Sequence, residues 1–285
     1  MTNELLVHFA SGQAFFSGIA LILLAARLGI SDRKRVSLLA SLSALVGILF
    51  IYVSATPLPL WFLIPAGCFV IYWWVVFRRK NLSDKQKKQL AWAVAAVCAG
   101  GIAIELPWHF VPEIPPLRDS QTLTIFGDSV TAGMGNEQFT WPKLLADRHS
   151  FSILDYSRAG ATTATALKLA KESDVPPGIV LIELGGNDLL GSGDADEFRR
   201  NLDGLLSLLA KPDRTLVMLE IPLPPTFQQF GQIQRSLAKQ YEVRLVPKRL
   251  FLSVLLSDET TLDSIHLSPE GHRKMAMLVE SLLTD

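Results

Sequence analysis

The chain has 285 residues, with 27 Lys/Arg balanced by 27 Asp/Glu for a formal net charge of zero, and 49% hydrophobic against 19% charged residues. That balance excludes a free nucleic-acid binder or a disordered acidic tail, and the apolar content is above that of ordinary soluble enzymes. The zero hides two unlike parts: residues 1–106 hold ten Lys/Arg and four Asp/Glu, whereas residues 107–285 hold seventeen and twenty-three. Both cysteines, Cys68 and Cys98, fall in the first part, so the second contains neither a disulfide framework nor a cysteine metal site.

Four apolar stretches run through the first part, at about residues 5–26, 36–55, 60–77 and 89–106. Each is near the ~20 residues, at 1.5 Å rise, that cross ~30 Å of hydrocarbon. Trp61, Tyr72, Trp73 and Trp74 near the ends of the third suit an interfacial aromatic belt. The first is interrupted by His8, Ser11, Gln13 and Ser17. A signal peptide would need a basic start, and Met1 to Ala10 has no Lys or Arg. Arg27, Arg33, Lys34 and Arg35 separate the first two stretches; Arg78, Arg79, Lys80, Lys85, Lys87 and Lys88 separate the last two. The positive-inside rule puts both basic loops in the cytoplasm and both chain ends outside. The expected location is therefore a membrane crossed several times, with residues 120–285 on the extracytoplasmic side. Only Glu4, His8 and Glu105 are ionisable within the apolar stretches, all near their ends, which favours an anchor over a transport pathway.

Residues 107–119 carry prolines at 107, 112, 115 and 116. Such a linker is extended and stiff, spanning at most ~40 Å at ~3.1 Å per residue. Residues 120–285 then alternate short apolar runs with helical patterns. Strands are expected at Leu123 to Phe126, Phe151 to Asp155, Ile179 to Leu184, Thr215 to Glu220 and Val243 to Val246. Helices are expected at about 140–148, 163–172, 195–210, 228–240, 248–256 and 269–283. This alternation implies an α/β fold with a parallel sheet covered on both faces, its active residues on loops at the strands' carboxyl ends.

The loop after the first strand reads Gly127-Asp128-Ser129-Val130-Thr131-Ala132-Gly133. A strand-to-turn serine flanked by glycines can expose its hydroxyl to a base, although an ordinary turn or helix N-cap accounts equally for Gly-Asp-Ser alone. Gly160, after the second strand, could bring a bare N–H to a reacting carbonyl, or simply form a flexible turn. Asn187, in Gly185-Gly186-Asn187-Asp188 after the third strand, could donate its amide to an oxyanion, or sit in a tight turn. Near the end, Asp263 and His266 stand three apart, where a carboxylate can fix an imidazole tautomer; Ser268 and Pro269 then start a helix.

These four pieces, in this order, resemble the four signature blocks of the SGNH hydrolases, also called GDSL esterases and lipases. The likeness covers residues 120–285 and is nearest the bacterial periplasmic thioesterase and lysophospholipase branch, above all in Val180-Leu181-Ile182-Glu183-Leu184-Gly185-Gly186-Asn187-Asp188. The resemblance implies a three-layer α/β/α domain with Ser129 as nucleophile, His266 as general base then acid, and Asp263 as its orienting carboxylate. It implies an oxyanion hole of the Ser129 and Gly160 N–H groups and the Asn187 amide. No cofactor and no metal are implied. Arg158-Ala159 before Gly160 departs from the family's usual small polar residues, which bears on the acyl pocket. The expected activity is hydrolysis of lipid acyl esters such as lysophospholipids at the bilayer. Deacetylation of, or acyl transfer to, a cell-envelope glycan would use the same residues, and a membrane scaffold with a degenerate hydrolase domain is the non-enzymatic alternative.

Overall fold

The computed structural model describes residues 2–31, 33–77, 82–118, 121–135, 139–191, 193–222, 224, 227–257, 259–263 and 265–284. Arg78, Arg79 and Lys80 of the second basic loop, Asp119 of the linker and Ser264 of the last motif lie outside the described residues. Two compact units result: Met1–His109 with Pro224–Gln228, and Phe110–Leu223 with Gln229–Asp285.

The first unit is helical. Helices α1 (Thr2–Ala10) and α2 (Gln13–Leu28) stand where one span was expected, and they are bent 83° apart. The break falls at Gly12, whose φ of 87° only glycine adopts readily, and which ends one helix as the next begins. Helix α3 covers Lys34–Val53, α4 Leu60–Phe77 and α5 Asp84–Glu105, followed by a short 3₁₀ turn, Leu106–His109. Ser83 starts α5 with a capping box: its hydroxyl accepts the Gln86 N–H while the Gln86 side chain accepts the Ser83 N–H. By length and composition, two helices among the described residues could cross a membrane, Lys34–Val53 and Asp84–His109, or three if the bent pair is one span. The apolar stretch Leu60–Val76 is shorter and holds Pro65 inside its helix.

Helices α2 and α3 pack backbone to backbone. A Cβ on Gly18 would lie 2.7 Å from the Gly47 carbonyl oxygen, and one on Gly47 would lie 2.8 Å from that of Gly18. Small residues at such a crossing let dispersion contacts form along the whole interface, the main source of cohesion between apolar helices in lipid. Phe15, Ile19, Ile22, Val94 and Cys98 are buried around it.

The second unit holds a five-stranded parallel sheet: β1 (Thr122–Gly127), β2 (Ser152–Asp155), β3 (Gly178–Glu183), β4 (Arg214–Leu219) and β5 (Arg244–Val246), in the order β2-β1-β3-β4-β5. The connecting helices are α6 (Ser129–Ala132), α7 (Trp141–Ala146), α8 (Thr163–Glu172), α9 (Gly186–Leu190), α10 (Ala195–Leu209), α11 (Gln228–Gln240), α12 (Lys248–Leu255) and α13 (Pro269–Leu283). Every expected strand and long helix is present within two residues at each end; α6 and α9 were not foreseen.

Alternation along the strands sorts side chains to two faces. Leu123, Ile125, Ile179, Leu181, Val217 and Leu219 join Trp141 and Leu145 of α7, Phe251 of α12 and Met275 and Val279 of α13 in one core. Against the other face α8 packs with α10, and Phe198 of α10 meets Phe230 of α11 at 4.8 Å between ring centroids. The end of the linker stretch enters the first of these cores: Leu117 is buried, and its N–H donates to the Leu283 carbonyl at 2.8 Å. Strand order reverses at β1, with β2 on one side and β3 on the other, so a crevice opens beyond their carboxyl ends.

Replacing Gly47 with Val should force α2 and α3 apart, at a cost of about 1–3 kcal/mol for an overpacked contact. The expected result is a lower thermal melting midpoint of the full chain in detergent, read by circular dichroism; a midpoint equal to the parent's would show that this crossing is not tight.

Candidate active site

Gly127 ends β1 directly opposite Glu183 at the end of β3. A Cβ on Gly127 would lie 2.5 Å from the Thr131 hydroxyl, so the chain can fold back this sharply only without a side chain there. The turn leads to Ser129, the first residue of α6, which is 7% exposed. As the first residue of that helix turn, its N–H has no intrahelical acceptor. The Asp128 side chain caps the turn by accepting the Val130 N–H at 2.9 Å.

Gly160 lies in the turn after β2 with φ +76°, and beyond its own chain neighbours no atom comes within 4 Å of where its Cβ would be. Space is therefore open beside its backbone. After β3, Gly185 adopts φ +118° to begin α9, which carries Asn187. The Asn187 amide donates to the Ala161 carbonyl at 3.0 Å and to Asp128 Oδ2 at 3.3 Å. One side chain thus joins the loop next to Ser129 to the loop next to Gly160. Both amide hydrogens are engaged, so donation to a reacting oxygen requires the longer contact, with Asp128, to be shared or released. Asp188 secures the same region by accepting the Thr163 N–H at 3.0 Å and its hydroxyl at 2.5 Å.

His266 and Asp263 come together as expected. The Asp263 Oδ2 to His266 Nδ1 distance is 2.7 Å, and Oδ1 accepts the backbone N–H groups of His266 and Ile265 at 2.9 and 3.2 Å. These bonds hold the Asp263 carboxyl down at about 2, the His266 backbone N–H being the largest cause and its ring the next. An ionised carboxylate only accepts, so Nδ1 carries the proton and Nε2 is left as a proton acceptor. The segment carrying His266 is held by an antiparallel bridge between Thr261 and Leu267 and by the Ser268 N–H on the Thr260 carbonyl at 2.8 Å. Ser268 caps α13 by accepting the Gly271 N–H at 3.1 Å, in the role its place before Pro269 suggests. His272 lies on α13, fully buried, with Nδ1 accepting the Trp141 N–H.

Sequence reading passed over a buried acidic pair beneath the turn. Glu183 Oε2 accepts the Asp128 N–H at 3.3 Å and the Thr131 hydroxyl at 2.9 Å. Burial first, and then the charge of Asp128, push Glu183 well above the usual carboxylate range; burial raises Asp128 as well. The available signal was a lone acid in the apolar run Ile179–Leu184. A cavity of about 370 Å³, lined by Arg27, Lys88 and Trp92 among others, belongs to the helical unit and includes none of these residues.

Residues 125–274 match the model of the GDSL-like lipase/acylhydrolase family. The chain is 31% identical over 176 residues to an arylesterase of Vibrio mimicus, covering 56% of this chain and 86% of that protein. It is 30% identical over 144 residues to esterase TesA of Pseudomonas aeruginosa, covering 45% and 70%. It is 31% identical over 140 residues to thioesterase 1/protease 1/lysophospholipase L1 of Escherichia coli, covering 45% and 66%. The chain belongs to the GDSL-like lipase/acylhydrolase family.

The depressed Asp263 carboxyl should be visible by carbon-detected NMR as a titration midpoint near 2. Its bonds to His266 favour the folded state above the unfolded carboxylate range, and that contribution is lost as pH falls through the folded value. A midpoint near the ordinary value for aspartate would mean that the pair does not form in solution.

Proposed function

We propose that this chain is a membrane-anchored serine ester hydrolase acting on lipid acyl esters, with Ser129, His266 and Asp263 as its catalytic triad. The observation that carries the reading is the Asn187 amide, which bonds both the turn bearing Ser129 and the turn bearing Gly160. The Asp263-anchored imidazole supports it.

In this mechanism Ser129 Oγ attacks the ester carbonyl while His266 Nε2 takes the hydroxyl proton. The carbonyl oxygen becomes an oxyanion and receives the N–H groups of Ser129 and Gly160 and one N–H of Asn187. The proton passes from His266 to the leaving alcohol oxygen and the C–O bond breaks, leaving Ser129 acylated. Water, deprotonated by His266, attacks the acyl carbon; the bond to Ser129 Oγ then breaks as His266 returns the proton to Oγ, and the acid is released. The Asp263 carboxylate stays ionised throughout and stabilises the imidazolium.

The lipid substrate rests on the helical unit. Its apolar helices suit a membrane, and the cations Arg27, Lys34, Arg35, Lys85, Lys87 and Lys88 lie between helices or at their ends, as cytoplasmic loops would. In this reading α1–α2, α3, α4 and α5 are four crossings, and the hydrolase domain lies outside the cytoplasm. A lysophospholipase name among the relatives agrees with this choice.

Ser129→Ala should lower turnover by about 10⁶ while leaving the fold intact, and should abolish labelling by a fluorophosphonate. Undiminished hydrolysis by the folded variant would exclude Ser129 as nucleophile. With nitrophenyl esters of increasing length and then lysophospholipids, long acyl chains should be preferred; a sharp preference for acetyl would transfer the assignment to envelope glycans. Alkaline phosphatase fused after the last residue should be active in intact cells, and an inactive, stable fusion would reverse the topology.

A further inference from the structure

The cavity of about 370 Å³ in the helical unit lies where the end of α2 packs against the start of α5. Each helix lines it with one stripe. The stripes run from Leu23 to Ile30, on α2 and the turn after it, and from Lys88 to Ala95 on α5, both with the i, i+3, i+4, i+7 spacing that keeps to one helix face. Six of the eight lining residues are apolar, and the other two are Arg27, in the last turn of α2, and Lys88. No carboxylate lines the cavity. Neither cation has a hydrogen bond or ion pair among the described residues; Asp84, the acid in the first turn of α5, pairs instead with Lys87 at 3.7 Å.

We propose that this cavity binds the headgroup of an anionic phospholipid, with Arg27 and Lys88 on the phosphate and the apolar walls against the glycerol and the start of the acyl chains. The proposal rests on the membrane placement of the helices and is independent of the hydrolase chemistry. Two like charges on one apolar cavity repel each other and lose hydration there; an anion held by both offsets these costs. Arg27 presents paired donors that match phosphate oxygens, and Lys88 adds a point charge. A small anion alone would leave the six apolar residues facing water, whereas a lipid covers them. The volume is near the lower end of the ~300–1,000 Å³ usual for small-molecule sites, so it suits a headgroup and not a whole lipid. Beside it Trp92, 77% exposed, is a residue type that settles at headgroup level. The ammonium of a zwitterionic headgroup would find no carboxylate here, which favours a lipid of net negative charge. In the proposed topology this end of both helices is cytoplasmic, the side on which basic pockets between helices recognise anionic headgroups.

A ligand that binds only the folded form raises the thermal midpoint. The full-length protein in detergent is therefore titrated with phosphatidylglycerol, or with phosphatidylcholine of the same acyl chains, while its midpoint is read. Phosphatidylglycerol should reach its half-maximal effect at a concentration about tenfold lower or more, the scale of charge-assisted hydrogen bonds to a phosphate. R27Q/K88Q should remove that difference. R35Q/K85Q, which deletes the same charge from basic residues that do not line the cavity, should keep it. Inorganic phosphate at the same concentrations should leave the midpoint unchanged.

Equal effects of the two lipids on the parent would overturn the proposal. So would an equal loss in both double variants, which would assign the preference to overall charge, or a rise with inorganic phosphate alone, which would make this an ion site. Should R27Q/K88Q fail to insert, A95L decides without it, because it narrows the cavity and leaves the charge unaltered: loss of the lipid difference supports the proposal, and its retention rejects it. Extraction of membranes with alkaline carbonate separates the two levels of failure. A parent released without detergent would reject the membrane reading on which the proposal rests, whereas a parent that stays in the membrane and shows no lipid difference would reject only this site.

Discussion

An amide nitrogen carries two hydrogens, and on Asn187 both are taken, one by the Ala161 carbonyl and one by the Asp128 carboxylate. The loops after β1, β2 and β3 meet through that side chain. It can reach them because the parallel register sets Gly127 level with Glu183 and Ile125 level with Asp155, so the three strands finish close together. The same two hydrogens that assemble the site in its resting form are the ones a reaction would have to borrow. Asp128, which neighbours the serine in sequence, is therefore more than a helix cap: under the proposed roles it competes with an oxyanion for the Asn187 amide.

The imidazole is supplied from elsewhere in the chain and by other means. Ser129 follows a strand buried along most of its length, whereas His266 stands on a short irregular stretch pinned by the Thr261–Leu267 bridge and by the start of α13. Gly271 lets α13 seat closely, since a Cβ there would lie 2.0 Å from the Thr260 carbonyl oxygen. Asp263 stays largely in solvent, with a side chain 57% exposed, and grips His266 through two hydrogen bonds, with a third from the Ile265 N–H, rather than through burial. Its acidity accordingly reflects those donors.

Most of the architecture was legible because burial imposes strong periods. Ile179–Glu183 reads as a strand since both of its faces are covered, and Ala195–Leu209 as a helix since one stripe is apolar. The short turns α6 and α9 leave no periodic trace over four or five residues and follow from glycine geometry instead. The break between α1 and α2 is similar: composition shows one apolar run, and only the positive φ at Gly12 divides it. The Asp263–His266 pair could be read because three residues of chain bring it together. The union of Glu183 with Asp128 could not, because 55 residues intervene and strand register alone makes them neighbours.

Under the proposed roles of Ser129 as nucleophile and His266 as base, their unequal support has a thermal consequence. Local opening draws first on segments with few buried contacts, well before a sheet core yields. The stretch around Asp263 and His266 belongs to the first kind and β1 to the second. On warming, such a molecule would lose its proton acceptor while keeping its nucleophile and its secondary structure, so the useful temperature range of the enzyme would be set by a few residues before α13 and not by the stability of the fold.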